Sequence, residues 1–116
     1  MIYRFGFYGL MAAILILSLL PIEHPDISPN DKLNHLIAYG GLMIAGYLGY
    51  RNVRWIIPVV FSFGVLVELL QGLTGYRYMS FADVLANGAG IVVGVCCIGL
   101  VIGIRRFNIL KGSSNE

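Results

Sequence analysis

The sequence predicts an all-α membrane protein: a bundle of four transmembrane helices forming one domain over residues 1–116. Hydrophobic residues make up 58% of the chain and charged residues only 12%, whereas about a quarter of the residues in a soluble domain are charged. Apolar stretches fill almost the whole sequence, and each is close to the roughly 17 to 25 residues that cross a bilayer. No linker or long repeat divides the chain, so one folding unit is expected.

Prolines, charges and helix-start signals separate the four apolar stretches. The first stretch ends at Pro21, and the three prolines of the following segment predict a loop. The second and fourth helices are expected to open at Ser28-Pro-Asn-Asp31 and Ser80-Phe-Ala-Asp83, two arrangements that resemble a capping box. Pro58 is expected in the first turn of the third helix, where a missing N–H is tolerated. The predicted spans are residues 2–20, 31–50, 55–73 and 83–104.

Basic residues are distributed unequally between the two sides of the expected bundle. Short loops rich in lysine and arginine tend to stay in the cytoplasm. Alternating spans place only Lys32 and Arg77 on one side and six basic residues on the other. Those six are Arg4, Arg51, Arg54, Arg105, Arg106 and Lys111. We therefore expect a multi-pass protein of the inner, cytoplasmic membrane, with both termini in the cytoplasm.

Polar residues converge at the expected outer ends of the second, third and fourth helices. Asp31, His35 and Tyr39 are spaced i, i+4, i+8 and so share a helix face. Pairs on the third and fourth helices are three and four residues apart, within about one turn. A cluster at the outer membrane surface is therefore predicted. Its residues are Asp31, Lys32, His35, Tyr39, Glu68, Gln71, Arg77, Ser80, Asp83 and Asn87.

Glu68 is the strongest single indication of a site, because a charge at mid-helix costs about 2.5 to 3.5 kcal/mol on insertion scales. Such a carboxylate normally has a partner, and Arg77 in the next loop could hold it through two hydrogen bonds. Lys32 and His35 are alternative partners.

Simpler explanations exist for several of these residues. Asp31, Ser80 and Asp83 could be helix caps. Lys32 and Tyr39 could be interfacial anchors, and Asn87 could bridge two helices. The remaining members, His35, Glu68 and Gln71, have no capping role, which favours a shared site.

Small residues spaced four apart predict close helix packing. The pattern comprises Gly41, Ala45 and Gly49 on the second helix, Gly64 on the third, and Gly90, Gly94, Gly99 and Gly103 on the fourth. These faces should pack the bundle below the polar cluster.

The spaced polar residues resemble the VanZ-like family over residues 31–94, more than half the chain. The resemblance is carried by Asp31-Lys32-x-x-His35-x-x-x-Tyr39, Glu68-x-x-Gln71 and Arg77-x-x-Ser80-x-x-Asp83-x-x-x-Asn87-x-x-Gly90-x-x-x-Gly94. Leu36 departs from the phenylalanine that is typical after the histidine. The resemblance implies a multi-pass bacterial membrane protein. It also makes the matching polar residues stronger candidates for a functional site. The family is named for a protein associated with resistance to the glycopeptide teicoplanin, so a link to antibiotic resistance is one hypothesis.

Three functions are compatible with the sequence. The first is binding or modulation of a cell-envelope lipid or glycolipid headgroup. The second is a membrane-embedded hydrolase or transferase using His35 as acid or base, with Glu68 as a further catalytic candidate. The third is a small proton-coupled transporter using Glu68. Partners other than membrane lipids could include a second copy of the chain.

Other partners and cofactors are not expected. The net charge of +2 is spread along the chain, which argues against nucleic-acid binding. The adjacent Cys96 and Cys97 suit neither a disulfide nor a metal site, and one histidine with carboxylates is a weak metal signal. No cofactor and no metal are therefore predicted.

Overall fold

The computed structural model of the chain describes residues 1–20, 29–75 and 79–114, with the side chains of 29–31 and 113–114 excluded. These residues form four α-helices and, within the described ranges, no strand. The helices are α1 Ile2–Leu19, α2 Pro29–Tyr50, α3 Val53–Leu73 and α4 Phe81–Ser114.

Three helices extend further than the sequence predicted, and α2 does so by beginning at Pro29 rather than Asp31. Helix α3 begins at Val53 rather than Trp55, because the Asn52 side chain caps it by accepting from the Trp55 N–H at 3.3 Å. Pro58 therefore lies in the second turn rather than the first. Helix α4 continues past Arg105 and Arg106 to Ser114, since arginine is a good helix former and does not by itself end a helix. At about 1.5 Å per residue, α4 is longer than the roughly 30 Å hydrocarbon core.

Three of the helices, α1, α3 and α4, are long and apolar enough to cross a membrane. Helix α2 is not among them. Its apolar side chains are interrupted by Asn34, by His35 and by several tyrosines and glycines, which lower its mean hydropathy. The chain thus has the composition of a membrane protein, with one helix more polar than the rest.

Helix α2 lies at the centre of the bundle and packs against all three other helices, most extensively against α4. The others cover Tyr39 and most of His35, which explains how much of a less apolar helix is accommodated, whereas Asn34 remains exposed. The buried apolar core lies between them and consists of Phe7, Ile14, Tyr39, Leu42, Met43, Ile56, Val60, Ile91 and Ile98.

Two glycines of α4 allow its backbone to lie directly against α2. A Cβ added at Gly90 would lie 2.5 Å from the Leu36 carbonyl oxygen, and one at Gly94 would lie 2.9 Å from the Gly40 carbonyl oxygen. Both contacts are with backbone atoms, which cannot rotate away. The predicted close packing therefore occurs at the Gly90 and Gly94 pair.

The rest of the predicted small-residue pattern contributes unequally. A Cβ at Gly99 or Gly103 would meet nothing within 4 Å, so the prediction is wrong for this pair, since these two glycines face away from the described helices. A Cβ at Gly41 would only reach Leu10 at 4.0 Å. Gly49, in contrast, lies against Arg4 of α1.

Aromatic residues gather at the end of the bundle that carries the α1 N-terminus. The Arg4 guanidinium donates to the Gly49 carbonyl at 3.0 Å and lies 4.4 Å from the centre of the Tyr50 ring. The Tyr8 and Tyr50 hydroxyls share a hydrogen bond, and Trp55 packs on Tyr50. Tyrosine and tryptophan favour membrane interfaces, so this aromatic end has the composition of an interfacial belt.

We expect Gly90→Ala to destabilise the protein by about 1 to 3 kcal/mol, the usual cost of overpacking a tight contact. The matched control is Gly99→Ala, whose Cβ meets nothing within 4 Å and which should be neutral or slightly stabilising. Thermal unfolding in one detergent measures both. Equal melting temperatures for the two variants would contradict this account of the α2–α4 contact.

Candidate functional site

The candidate site is a polar cluster where the first turns of α2 and α4 meet the last turns of α3. Lys32 and His35 come from α2, Glu68 from α3, and Asp83 and Asn87 from α4. The contact at Gly90 sets their separation, because Asn87 lies one turn before Gly90 and His35 is adjacent to Leu36. We refer to these five residues as the polar cluster.

An ion pair joins α2 to α4 at the open side of the polar cluster. Lys32 donates through Nζ to Asp83 Oδ1, and the two side chains are 39% and 13% exposed. The second carboxylate oxygen, Asp83 Oδ2, lies 3.8 Å from His35 Nε2. Asp83 thus stands between a lysine that reaches solvent and a histidine that is 16% exposed.

A hydrogen bond to Asn87 orients the His35 ring. His35 Nδ1 donates to Asn87 Oδ1 at 2.8 Å, since an amide oxygen can only accept. In the neutral ring the lone pair is then on Nε2, on the side that faces Asp83. Asn87 is 2% exposed, so this bond is shielded from water.

Glu68 is fully buried, with an exposed fraction of 0%. Its Oε2 accepts from the Ser80 backbone N–H at 3.2 Å. Its Oε1 has no hydrogen-bond partner among the described residues. One oxygen of this carboxylate therefore holds the start of α4, and the other has no partner among the described residues.

Ser80 is the N-cap of α4, and the two hydrogen bonds of a capping box are here made with residues of two different helices. Its side-chain oxygen accepts from the Asp83 N–H at 3.3 Å, as an N-cap does. In a complete box the Asp83 side chain would bind the Ser80 N–H in return, but Glu68 of α3 takes that position. The Asp83 carboxylate is left to pair with Lys32, so it belongs to the cluster rather than to the cap.

Two further buried polar atoms lie without partners beside the cluster. They are the Tyr39 hydroxyl and Asn87 Nδ2, neither of which has a hydrogen bond within the described part of the chain. The Tyr39 ring and Asn87 Nδ2 lie against Gly64 of α3, where an added Cβ would be 3.1 Å from Tyr39 Cε1 and 3.2 Å from Asn87 Nδ2. Gly64 thus leaves room for polar groups from α2 and α4.

Gln71 lies one turn from Glu68 but contacts a different helix. It is 3% exposed, and its Nε2 donates to the Ser18 carbonyl at 2.9 Å. This bond ties the last turn of α3 to the last turn of α1. Gln71 is therefore placed beside the cluster and joins helices rather than facing Glu68.

Two residues of the predicted site, the Asp31 side chain and Arg77, lie outside the described residues. The expected Glu68–Arg77 pair thus stays a prediction. Sequence reasoning missed the Lys32–Asp83 pair and the hydrogen bond from Ser80 to Glu68. The first had a usable signal, because Lys32 and Asp83 each begin a helix on the same expected side. The second involves a backbone N–H, which no residue type reveals.

The cluster combines groups that can donate, accept, or coordinate a cation. One ligand atom each from His35, Glu68 and Asp83 lies within 4.8 Å of the other two. Lys32 and Asn87 add donors around them. This set could bind a polar molecule through several hydrogen bonds or hold a positive ion.

No family model, curated protein or solved structure matches the chain. The resemblance to the VanZ-like family accordingly stays a prediction from the residues.

We expect the His35 ring to carry its proton on Nδ1 when neutral, because Asn87 accepts from that atom. Nitrogen-15 NMR of labelled imidazole distinguishes the two tautomers by chemical shift. Asn87→Leu removes the acceptor at similar side-chain volume and should release this preference. His24→Gln, made in both backgrounds, removes the second histidine signal. An Nε2–H tautomer in the parent protein would contradict the assignment.

Proposed function

We propose that the chain is an integral membrane protein with four spans, and that its polar cluster binds the headgroup of a cell-envelope lipid or glycolipid at the outer surface. The supporting observation is a group of three buried polar atoms that have no partner among the described residues, Tyr39 OH, Glu68 Oε1 and Asn87 Nδ2, beside the partly exposed Lys32 and His35.

Two features support α2 as the fourth span. Its central position covers Tyr39 and most of His35 with other helices rather than lipid. From Lys32 to Tyr50 it rises about 27 Å at 1.5 Å per residue, close to the roughly 30 Å of the hydrocarbon core. With four spans the basic residues divide six to two, which favours cytoplasmic termini and an outer polar cluster.

The four-span topology predicts that Arg54 faces the cytoplasm and Met79 the outside; both side chains are exposed. In a Cys96→Ser/Cys97→Ser background, Met79→Cys should react with an impermeant maleimide on intact cells. Arg54→Cys should react only after lysis. The number of spans is decided by adding Ile2→Cys, at the exposed start of α1. With four spans Ile2→Cys and Arg54→Cys should both react only after lysis, whereas if α2 did not cross the membrane these two positions would lie on opposite sides and differ in reactivity.

A bound polar molecule would remove an energetic cost in the cluster. A buried polar group without a hydrogen bond costs about 1 to 3 kcal/mol, and buried polar groups are normally satisfied by protein or by a bound partner. Here the Asn87 amide and the Tyr39 ring both lie close to Gly64, one turn before Glu68 on α3, and the hydroxyl, the amide and one Glu68 oxygen lack hydrogen bonds among the described residues. Such a mixed set suits a headgroup with hydroxyl or phosphate oxygens, which both accept and donate.

The position of Lys32 also favours a membrane ligand. Its ammonium group is at the open edge of the cluster, where it can contact an anionic or sugar headgroup while its stem lies along the helix. The ligand's acyl chains would remain in the bilayer beside apolar side chains exposed on α3 and α4, including Leu69, Leu73 and Leu85.

We expect Lys32→Met to weaken headgroup retention about tenfold, the effect of losing one charge-assisted hydrogen bond of roughly 1.4 kcal/mol. Native mass spectrometry of the purified protein with phosphatidylglycerol, a polyprenyl phosphate and a glucosyl diacylglycerol measures retention and separates phosphate from sugar recognition. The matched control is Lys111→Met, which removes a cation from the other end of α4.

Equal retention by Lys32→Met, Lys111→Met and the parent protein would contradict headgroup binding at the cluster. The same incubations also separate binding from turnover. The oriented His35 ring supports a hydrolase or transferase as the second candidate. Intact lipids after incubation agree with binding, whereas headgroup release that His35→Gln abolishes would replace it with catalysis.

A further inference from the structure

We propose that His35, Glu68 and Asp83 form a binding site for a divalent transition-metal ion between α2, α3 and α4. Each residue comes from a different helix, and one ligand atom of each lies within 4.8 Å of the other two. Two ligands about 2.1 Å from one ion lie roughly 3.4 Å apart in tetrahedral geometry. Side-chain rotations that draw the three groups together by about 1 Å would therefore complete the site.

The orientation of His35 suits a metal ligand. A metal-bound histidine normally donates its other ring N–H to an oxygen acceptor, which fixes the tautomer. His35 Nδ1 makes this bond to Asn87 Oδ1 at 2.8 Å. The lone pair is then on Nε2, the atom that faces Asp83 Oδ2 at 3.8 Å. Asn87 thus has the position of a partner that orients a ligand.

Glu68 supplies an independent observation. Its carboxylate is completely buried, and Oε1 is without a partner among the described residues while Oε2 is held by the Ser80 N–H. A buried ionised carboxylate needs a nearby positive charge to remain ionised. A cation at Oε1 would provide it, and the hydrogen bond at Oε2 already holds the carboxylate in place.

Charge in the described part of the cluster also favours a cation. Glu68 and Asp83 can carry two negative charges there, and Lys32 carries one positive charge at the edge. Lys32 contacts Asp83 Oδ1, whereas Oδ2 faces the inside of the cluster. A divalent ion between His35, Glu68 and Asp83 would contact the inner oxygen without displacing the lysine.

The ligand set indicates the class of metal. One imidazole with two carboxylates suits zinc or manganese: imidazole favours zinc, and carboxylates are also ligands for manganese. Three protein ligands leave at least one coordination position open, as in metal sites that bind a further molecule. The Tyr39 hydroxyl and Asn87 Nδ2 are the nearby polar atoms that could contact that molecule.

No metal was expected, because one histidine with carboxylates is a weak metal signal. The three ligands are also separated by more than thirty residues at one step and fifteen at the next. The approach of α4 to α2 at Gly90 places them together. The metal site and the proposed headgroup site share Glu68 Oε1, but metal binding does not require a headgroup, and Lys32, which is not a metal ligand, distinguishes the two proposals.

The experiment measures metal on the full chain, purified with a tag that contains no histidine, in the Cys96→Ser/Cys97→Ser background. After chelator treatment and reloading with zinc or manganese, about one ion per chain should remain bound. Glu68→Gln and Asp83→Asn should each raise the Kd at least about 100-fold, and Asn87→Ala about 10- to 100-fold. Asn34→Ala, an exposed neighbour of His35, is the matched control and should retain the parent Kd.

X-ray absorption of the zinc-loaded protein should show only nitrogen and oxygen neighbours, with the signature of an imidazole. Should Glu68→Gln or Asp83→Asn fail to fold, the chelated parent protein provides the second measurement, because zinc should raise its melting temperature. Retention below about 0.2 ions per chain, an unchanged Kd in both ligand variants, or no thermal shift would overturn the proposal.

Lys32→Met separates this site from the headgroup proposal. Removing a neighbouring positive charge should leave the metal Kd unchanged or lower it, because cation repulsion falls. Loss of headgroup retention with metal binding intact supports both proposals. If metal binds but Lys32→Met leaves headgroup retention unchanged, only the headgroup proposal is contradicted. If headgroup retention depends on Lys32 but no metal binds, only the metal proposal is contradicted.

Discussion

The backbone contact between α2 and α4 is the constraint on which the other features depend. No side chain larger than hydrogen fits at Gly90, where a Cβ would meet the Leu36 carbonyl oxygen at 2.5 Å. This separation puts Asn87 within 2.8 Å of His35 one turn away, and it brings Asp83 to Lys32 at the next. The polar cluster is thus a consequence of how closely two helices approach, and the same contact buries the amide that orients the histidine.

The second determinant is the requirement that buried polar groups have partners. Glu68 meets half of this requirement by holding the Ser80 N–H, which displaces Asp83 from its usual role at a helix start. Asp83 is then available to Lys32 and His35. One buried carboxylate on α3 therefore determines the partners of a second carboxylate on α4, while its own Oε1 has no hydrogen bond within the described ranges.

Helix number, most helix positions and the approximate membership of the site could be predicted from residue types, because apolar length, proline positions and polar spacing are local properties. The extension of α4 to Ser114 could not, since arginines end an apolar stretch without ending a helix. The lack of a close neighbour at Gly99 and Gly103 among the described residues could not be predicted either, because whether a glycine faces another helix depends on tertiary packing. The partner of Gln71 also depends on tertiary packing. Its position three residues after Glu68 placed it in the predicted cluster, but its side chain donates to a backbone carbonyl on α1.

The aromatic end and the polar cluster lie at opposite ends of α2, and with α2 crossing the membrane as proposed, their spacing would make the protein sensitive to hydrophobic mismatch. Arg4, Tyr50 and Trp55 would hold one end at an interface, and Lys32 lies about 27 Å along the helix from Tyr50. In a thicker bilayer the anchored helix could not reach both membrane–water interfaces. Lys32 would then be drawn toward hydrocarbon, or the bilayer would thin around it. Membrane composition would then set how accessible the cluster is, without any change in the protein itself.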